Sequence, residues 1–311
     1  MTPSISVVIC AYSLDRWDDL CAAVESIERQ SVPPLETIVV IDHNDELGER
    51  ARARFTDGRV SVVDNREEQG LSHARNTGVG VARGEVVAFL DDDAAAVPGW
   101  LEEIGRAYDG SADVVGVGGA IEPRWLAGRP KTFPAEFDWV VGCTYRGHPT
   151  ARTPVRNLIG ANMSFRRELF DEVGGFRSDI GRVGTRPVGC EETEFCLRVA
   201  RARPDGVILY EPEAAVLHSV PPARGTWSYF VRRCFGEGIS KAFVASLAGR
   251  ADALRTERGY VARTIVRGVG TSAAAAARGD AAAGGRAARM ILGVGAAAAG
   301  YAYAVAKTAR A

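Results

Sequence analysis

The chain has little that would build a disulfide framework or a thiolate metal site. Its six cysteines (Cys10, Cys21, Cys143, Cys190, Cys196 and Cys234) are scattered over 311 residues, with no C-x-x-C pair. That scatter excludes a zinc ribbon and a dithiol redox pair, and it suits small apolar side chains in a reducing compartment. Histidine is scarce, at four residues. Net charge is nearly absent: 38 Lys and Arg against 39 Asp and Glu give −1, so the chain as a whole is no polyanion binder. A basic leader is missing as well. The first apolar run, Ile5 to Cys10, is too short for a signal-peptide core and reads as a strand, so the body is expected to be cytoplasmic. No strongly hydrophobic span is evident either. Met290 to Ala306 is 17 uncharged residues, at the lower edge of bilayer-spanning length, but mostly Ala and Gly. A surface-packed or membrane-lying helix is expected there.

What is present is a globular composition, 46% hydrophobic and 25% charged, enough for a sizeable core in one large domain or two small ones. The charge is unevenly placed. From Ala242 onward the balance is +7, leaving −8 on the first 241 residues. An acidic body carries a basic, Ala- and Arg-rich tail, and nucleic-acid binding by that body is disfavoured.

Four short, nearly continuous apolar runs open the chain: Ile5 to Cys10, Thr37 to Ile41, Val60 to Val63 and Val86 to Leu90. Such runs fit strands buried on both faces of a parallel sheet. Leu20, Val24 and Ile27 recur at helical spacing between the first two, and Ser72 is the expected N-cap of a helix running to Ala82. The alternation predicts an α/β fold with right-handed crossovers. Further on, Trp100 to Tyr108, Arg166 to Val173 and Glu192 to Ala202 read as helices. Val114 to Ile121, Leu158 to Phe165, Val207 to Tyr210 and Ala214 to His218 read as strands. Between Glu122 and Arg156 lies a long excursion with Trp125, Phe133, Phe137, Trp139 and Tyr145, which is either a binding loop or a small satellite core.

The carboxylates carry the chemistry. Asp91, Asp92 and Asp93 follow directly on the fourth strand, where ligands of open α/β sheets sit. Three adjacent carboxylates repel one another, so a divalent-cation site explains them better than a solvated acidic turn. Asp42 ends the second strand and could accept hydrogen bonds from a nucleobase or a ribose; it also suits a turn. Glu191 and Glu192 open a helix, as the helix dipole favours, or they place a general base at the lip of the sheet. His218 reads equally as a metal ligand or a buried histidine. The loop from Ala11 to Arg16 has no glycine, which argues against the phosphate cradle of a nucleotidyltransferase. A nucleotide-binding regulatory module, the other rival, has no use for a base at Glu192.

Taken together, the ordered set Ala11-Tyr12, Ile41-Asp42, Gly70 to Gly78 (GLSHARNTG), Phe89 to Asp93 (FLDDD), Gly160 to Arg166 (GANMSFR), Val173 to Phe176 (VGGF) and Glu191 to Glu194 (EETE) resembles the family 2 inverting glycosyltransferases. The resemblance covers roughly Ile5 to Lys241. It implies a GT-A fold, an open, mostly parallel Rossmann-like sheet flanked by helices, over residues 1–225, with a helical C-terminal region over 226–311. It further implies that Ala11, Tyr12, Asp42, Arg75, Asp91 and Asp92 bind the donor nucleotide. Asp91 and Asp93, the D-x-D pair, would hold Mg²⁺ or Mn²⁺ with His218. Gly160, Ala161 and Asn162 would face sugar or acceptor. The family's base is the Asp of a Glu-Asp pair; here Glu192 stands at that position, with Glu191 beside it. The implied reaction is metal-dependent single displacement from a nucleoside diphosphate sugar to an acceptor hydroxyl. UDP or dTDP is favoured because a carboxylate at Asp42 suits a pyrimidine N3–H. The family's processive synthases carry a Q-x-x-R-W motif that Tyr229 to Gly238 lacks, so a single addition is expected. The acceptor is a glycan, a lipid-linked saccharide or a small molecule. The basic tail would give peripheral contact with anionic lipid at the inner membrane face, or else pack as a solvated helical pair.

Overall fold

In a computed structural model describing residues 2–56, 58–179, 189–248 and 259–308, nine strands form one mixed sheet. Its order is β3 (Val60–Asp64), β2 (Glu36–Ile41), β1 (Ile5–Ala11), β4 (Val86–Asp91), β8 (Asn162–Arg166), β6 (Val114–Trp125), β9 (Val207–Val220) and β5 (Ala94–Ala96). The short β7 (Thr153–Pro154) also pairs with β9. The first four are parallel, with Cys10 opposite both Val40 and Asp91. Beyond β4 the pairings of β8, and of β5 with β9, are antiparallel.

The parallel strands form where the apolar runs predict them, because both faces are covered. Val7, Ile9, Val39, Val40, Val86 and Val87 are all fully buried. The helix α3 (Leu71–Val81) lies so close to β1 that a Cβ on Gly78 would run into Val8 Cγ1. The expected cap at Ser72 is not the one formed. Gly70, with φ +153°, precedes the helix, and Ser72 is buried in its first turn. The reason is tertiary: the Gly70 N–H is held by the Asp42 carboxylate, and the helix starts at Leu71, two residues before a Ser72 cap would start it.

The two late strands expected on either side of Pro212 are one 14-residue strand. Proline removes a single ladder donor but tolerates extended backbone, so the strand runs through it. Around β4, β8 and α6 (Glu191–Ala202), Phe89, Phe165, Phe170, Phe176 and Phe195 form the aromatic centre of the main core, with Phe170 and Phe195 stacked at 4.7 Å.

The polypeptide divides into two compact units. The first comprises Met1–Glu122, Pro149–Thr185 and Glu191–Ser219. The second comprises Pro123–His148, Arg186–Cys190 and Val220–Ala311. In this second unit α7 (Trp227–Ala248) packs along α9 (Ala281–Thr308), with α8 (Val266–Ala277) between them in sequence. The aromatics of the 122–156 excursion join it as a satellite core: Phe133 and Phe137 lie 5.5 and 5.1 Å from Phe230, ring to ring. Of the helical tail expected over 226–311, residues 249–258 and 309–311 lie outside the described residues.

Candidate active site

Every carboxylate, histidine and motif residue assigned above to nucleotide, metal, sugar or base falls in the first unit. β1, β2 and β4 end side by side, so Ala11, Asp42 and Asp91 come to one edge of the sheet, where a parallel sheet offers its carboxyl ends. Tyr12, 44% exposed, follows Ala11 on this edge.

The Asp triplet divides three ways. Asp91, half-buried, accepts a 3.3 Å contact on Oδ1 from Arg75 Nη2. Asp92 is buried and takes Arg16 Nη1 on Oδ1 at 2.7 Å. Burial pushes its carboxyl up to about 7 against the opposing pull of Arg16. Asp93, also buried, meets Arg16 on one oxygen at 3.3 Å and His218 Nε2 on the other at 3.1 Å. The β5–β9 register explains that last contact: Ala94 stands opposite His218, so Asp93 just before it reaches the imidazole. Donor atoms of Asp91, Asp93 and His218 lie within 4.8 Å of one another. Two carboxylates and an imidazole, gathered beside a third acid, fit a Mg²⁺- or Mn²⁺-type cation.

Arg75 joins this cluster to the other candidate. Its guanidinium, 2% exposed, donates to Glu191 Oε1 at 2.8 Å, to Asp91 and to the Gly160 carbonyl at 3.1 Å. Glu191 is therefore buried and paired, while its Oε2 has no hydrogen-bond partner among the described residues. Glu192, the next residue of α6, is half-buried.

The rest of the GLSHARNTG motif has structural work. Asn76 clamps the Phe176 backbone with two 2.8 Å hydrogen bonds, and Thr77 donates to Asn65 Oδ1 at 3.1 Å. Asn65 in turn donates to Asp42 Oδ1 at 2.7 Å. Asp42 thus already accepts from Asn65 and from Gly70. His43, which follows it with φ +54°, lies 3.1 Å from the same carboxylate. Gly160 and Ala161 precede β8 beside Arg75, but the Asn162 side chain turns into the protein. It receives Trp100 Nε1 at 2.9 Å and donates to the carbonyls of Ala120 and Ala214.

Sequence reasoning missed Arg16, Asn65 and Trp100. The signal for Arg16 was available: three consecutive carboxylates need a cation, and the first βα loop supplies this one.

Comparison with known proteins gives the family and the fold. The profile described as Glycosyl transferase family 2 matches residues 6–174. The glucosyl-dolichyl phosphate glucuronosyltransferase of Haloferax volcanii is 39% identical over 238 residues, 76% of each chain. Among solved structures, a mannosyltransferase from Pyrobaculum calidifontis in complex with GDP-Man and Mn²⁺ aligns over 97% of this chain and 88% of its own. That alignment has 18% identity and a TM-score of 0.61. GalNAc-T7, solved with UDP, GalNAc and Mn²⁺, aligns over 70% of this chain and 43% of its own, with 18% identity and a TM-score of 0.51. These neighbours share the GT-A fold. The chain belongs to glycosyl transferase family 2 and is a glycosyltransferase.

Proposed function

We propose that this enzyme moves one sugar from a nucleoside diphosphate sugar to a hydroxyl of a lipid-linked saccharide, inverting the anomeric carbon. The observation that carries the reading is the set Asp91, Asp93 and His218 joined through Arg75 to the Glu191–Glu192 pair. A Mn²⁺ or Mg²⁺ ion held by those three residues would supply positive charge opposite the leaving diphosphate. Ala11, Tyr12, Asp42, Arg75, Asp91 and Asp92 form the donor side. Asp42 Oδ2 keeps a lone pair beyond its Gly70 contact, which supports a uridine or thymidine donor. Gly160 and Ala161 offer backbone to the sugar, and Asn162 fixes the strands behind them.

Glu192 is the general base in this reading. Glu191 is buried and held by Arg75, whereas the half-buried Glu192 is the carboxylate that an acceptor hydroxyl can reach. The lipid-linked acceptor is supported by the Haloferax relative, whose name places its substrate on dolichyl phosphate.

Residues 1–225 would carry the chemistry, with 226–311 making peripheral contact at the cytoplasmic face of a membrane. Helix α9 supports this contact. The helix is long and apolar enough to cross a bilayer, with 17% of its apolar window buried. Ala288, Ile291, Leu292, Gly295, Ala298, Ala299, Ala302, Tyr303 and Ala306 form an exposed, uncharged stripe at helical spacing, about 27 Å long.

The test combines a panel of UDP-, dTDP- and GDP-sugars, Mn²⁺ and a glucosylated polyprenyl phosphate, read by mass spectrometry and by NMR of the new linkage. One sugar added with inverted configuration is the expected product; retention overturns single displacement. Glu192→Gln should lower kcat by about 10²-fold or more while nucleotide-induced thermal shifts persist. If Glu191→Gln alone does this, the base is Glu191.

A further inference from the structure

The two arginines at the acidic edge are built differently. Arg75 is locked: its side chain is 3% exposed and fixed by Glu191, Asp91 and Gly160. Arg16 is 25% exposed at the end of a three-residue turn, Leu14–Arg16, and a single nitrogen, Nη1, lies against two carboxylates. Its Cζ stands 5.4 Å from the ring of the exposed Tyr12. One of the two acids it touches, Asp93, belongs to the candidate ligand set.

We infer that Arg16 is a resident counter-ion that suppresses divalent-cation binding until a diphosphate arrives. The inference rests on the metal reading of Asp91, Asp93 and His218. A guanidinium 3.3 Å from a ligand carboxylate repels a doubly charged ion placed on that same carboxylate. The repulsion is steep because the acids are buried and poorly screened. A bound diphosphate adds negative charge at this edge and offers the partly exposed guanidinium another partner. The acids are then available to the ion. By linkage the effect is reciprocal, so the ion also tightens the nucleotide. Arg75 cannot play this part, since its release would leave the buried Glu191 without a counter-charge.

The experiment titrates Mn²⁺ alone, reading the free ion by electron paramagnetic resonance, with no turnover required. Arg16→Gln should bind Mn²⁺ about tenfold or more tightly than the wild type, and Arg16→Lys should restore the weak binding. The same gain is expected when Arg16→Gln is added to Asp92→Asn, a background in which no buried Asp92 carboxylate is orphaned. UDP should tighten Mn²⁺ strongly in the wild type and much less in Arg16→Gln. A scaffold role for Arg16 would lower affinity or leave it unchanged. Equal or weaker Mn²⁺ binding in both Arg16→Gln proteins, with Asp93→Ala abolishing it, overturns the inference and leaves the metal site standing. No binding to any variant, with or without UDP, overturns both.

Discussion

Arg75 in the sheet unit and Arg289 in the helical unit are equally buried, at 2% exposed, and are accommodated in opposite ways. Arg75 sits between two carboxylates and a carbonyl. Arg289 meets no carboxylate among the described residues: Nη2 donates to the Gly225 carbonyl at 3.0 Å and the guanidinium lies 4.4 Å from the Trp227 ring, with Phe133 and Phe230 beyond. Its Nε and Nη1 have no hydrogen-bond partner among the described residues, and burial lowers its pKa. The contrast shows where charge is bound up with chemistry. At the sheet edge each arginine answers acids of the proposed site, so removing one leaves a buried anion behind. In the helices the cation answers aromatic rings, and removing it leaves no anion behind among the described residues.

The comparison breaks most sharply at Arg75. Arg75→Met leaves Glu191 buried without its counter-charge, a loss of about 3–5 kcal/mol, to be read by urea denaturation. Adding Glu191→Gln should recover part of that loss, because the neutral side chain no longer needs a cation. If Arg75→Met unfolds at the wild-type midpoint, the ion pair is not holding this edge.

Much of this edge is legible in the sequence because strand ends are. Continuous apolar runs fix β1, β2 and β4, and whatever follows them in a parallel sheet must share an edge; Ala11, Asp42 and Asp91 come together for that reason. Contacts set by long-range pairing are less visible. His218 reaches Asp93 only through the β5–β9 register, and Asn162 turns inward because Trp100, Ala120 and Ala214 present partners from three other segments. Arg16, a loop arginine, has no period to mark it, and only the three adjacent carboxylates call for a cation there. The excursion aromatics could not be assigned because their core, Phe230, lies about a hundred residues away.

A second arm of the comparison uses a carboxylate in the helical unit. Asp138 is gripped by both terminal nitrogens of Arg129, at 2.6 and 3.1 Å, yet burial outweighs the arginine and pushes its carboxyl up to about 6. The folded state therefore binds this proton more tightly than the unfolded chain. The stabilisation is complete below about pH 4, falls as pH rises through 6 and is absent above it. Its full size is up to about 3 kcal/mol, and Asp138→Asn should flatten the slope between pH 4 and 6. An unchanged slope would show that Arg129 holds Asp138 ionised.

The smallest effect is expected at Arg289, and it sharpens the contrast most. Arg289→Met keeps a long apolar stem among Phe133, Trp227 and Phe230, loses one hydrogen bond to Gly225 and ends the burial of two unpartnered N–H groups. The lost bond and cation–π contact destabilise by about 1–2 kcal/mol, and relief of the buried charge offsets most of that. The net change should lie within about 1 kcal/mol of zero under the urea protocol used for Arg75→Met. A loss comparable to that of Arg75→Met would mean that Arg289 meets an anion after all.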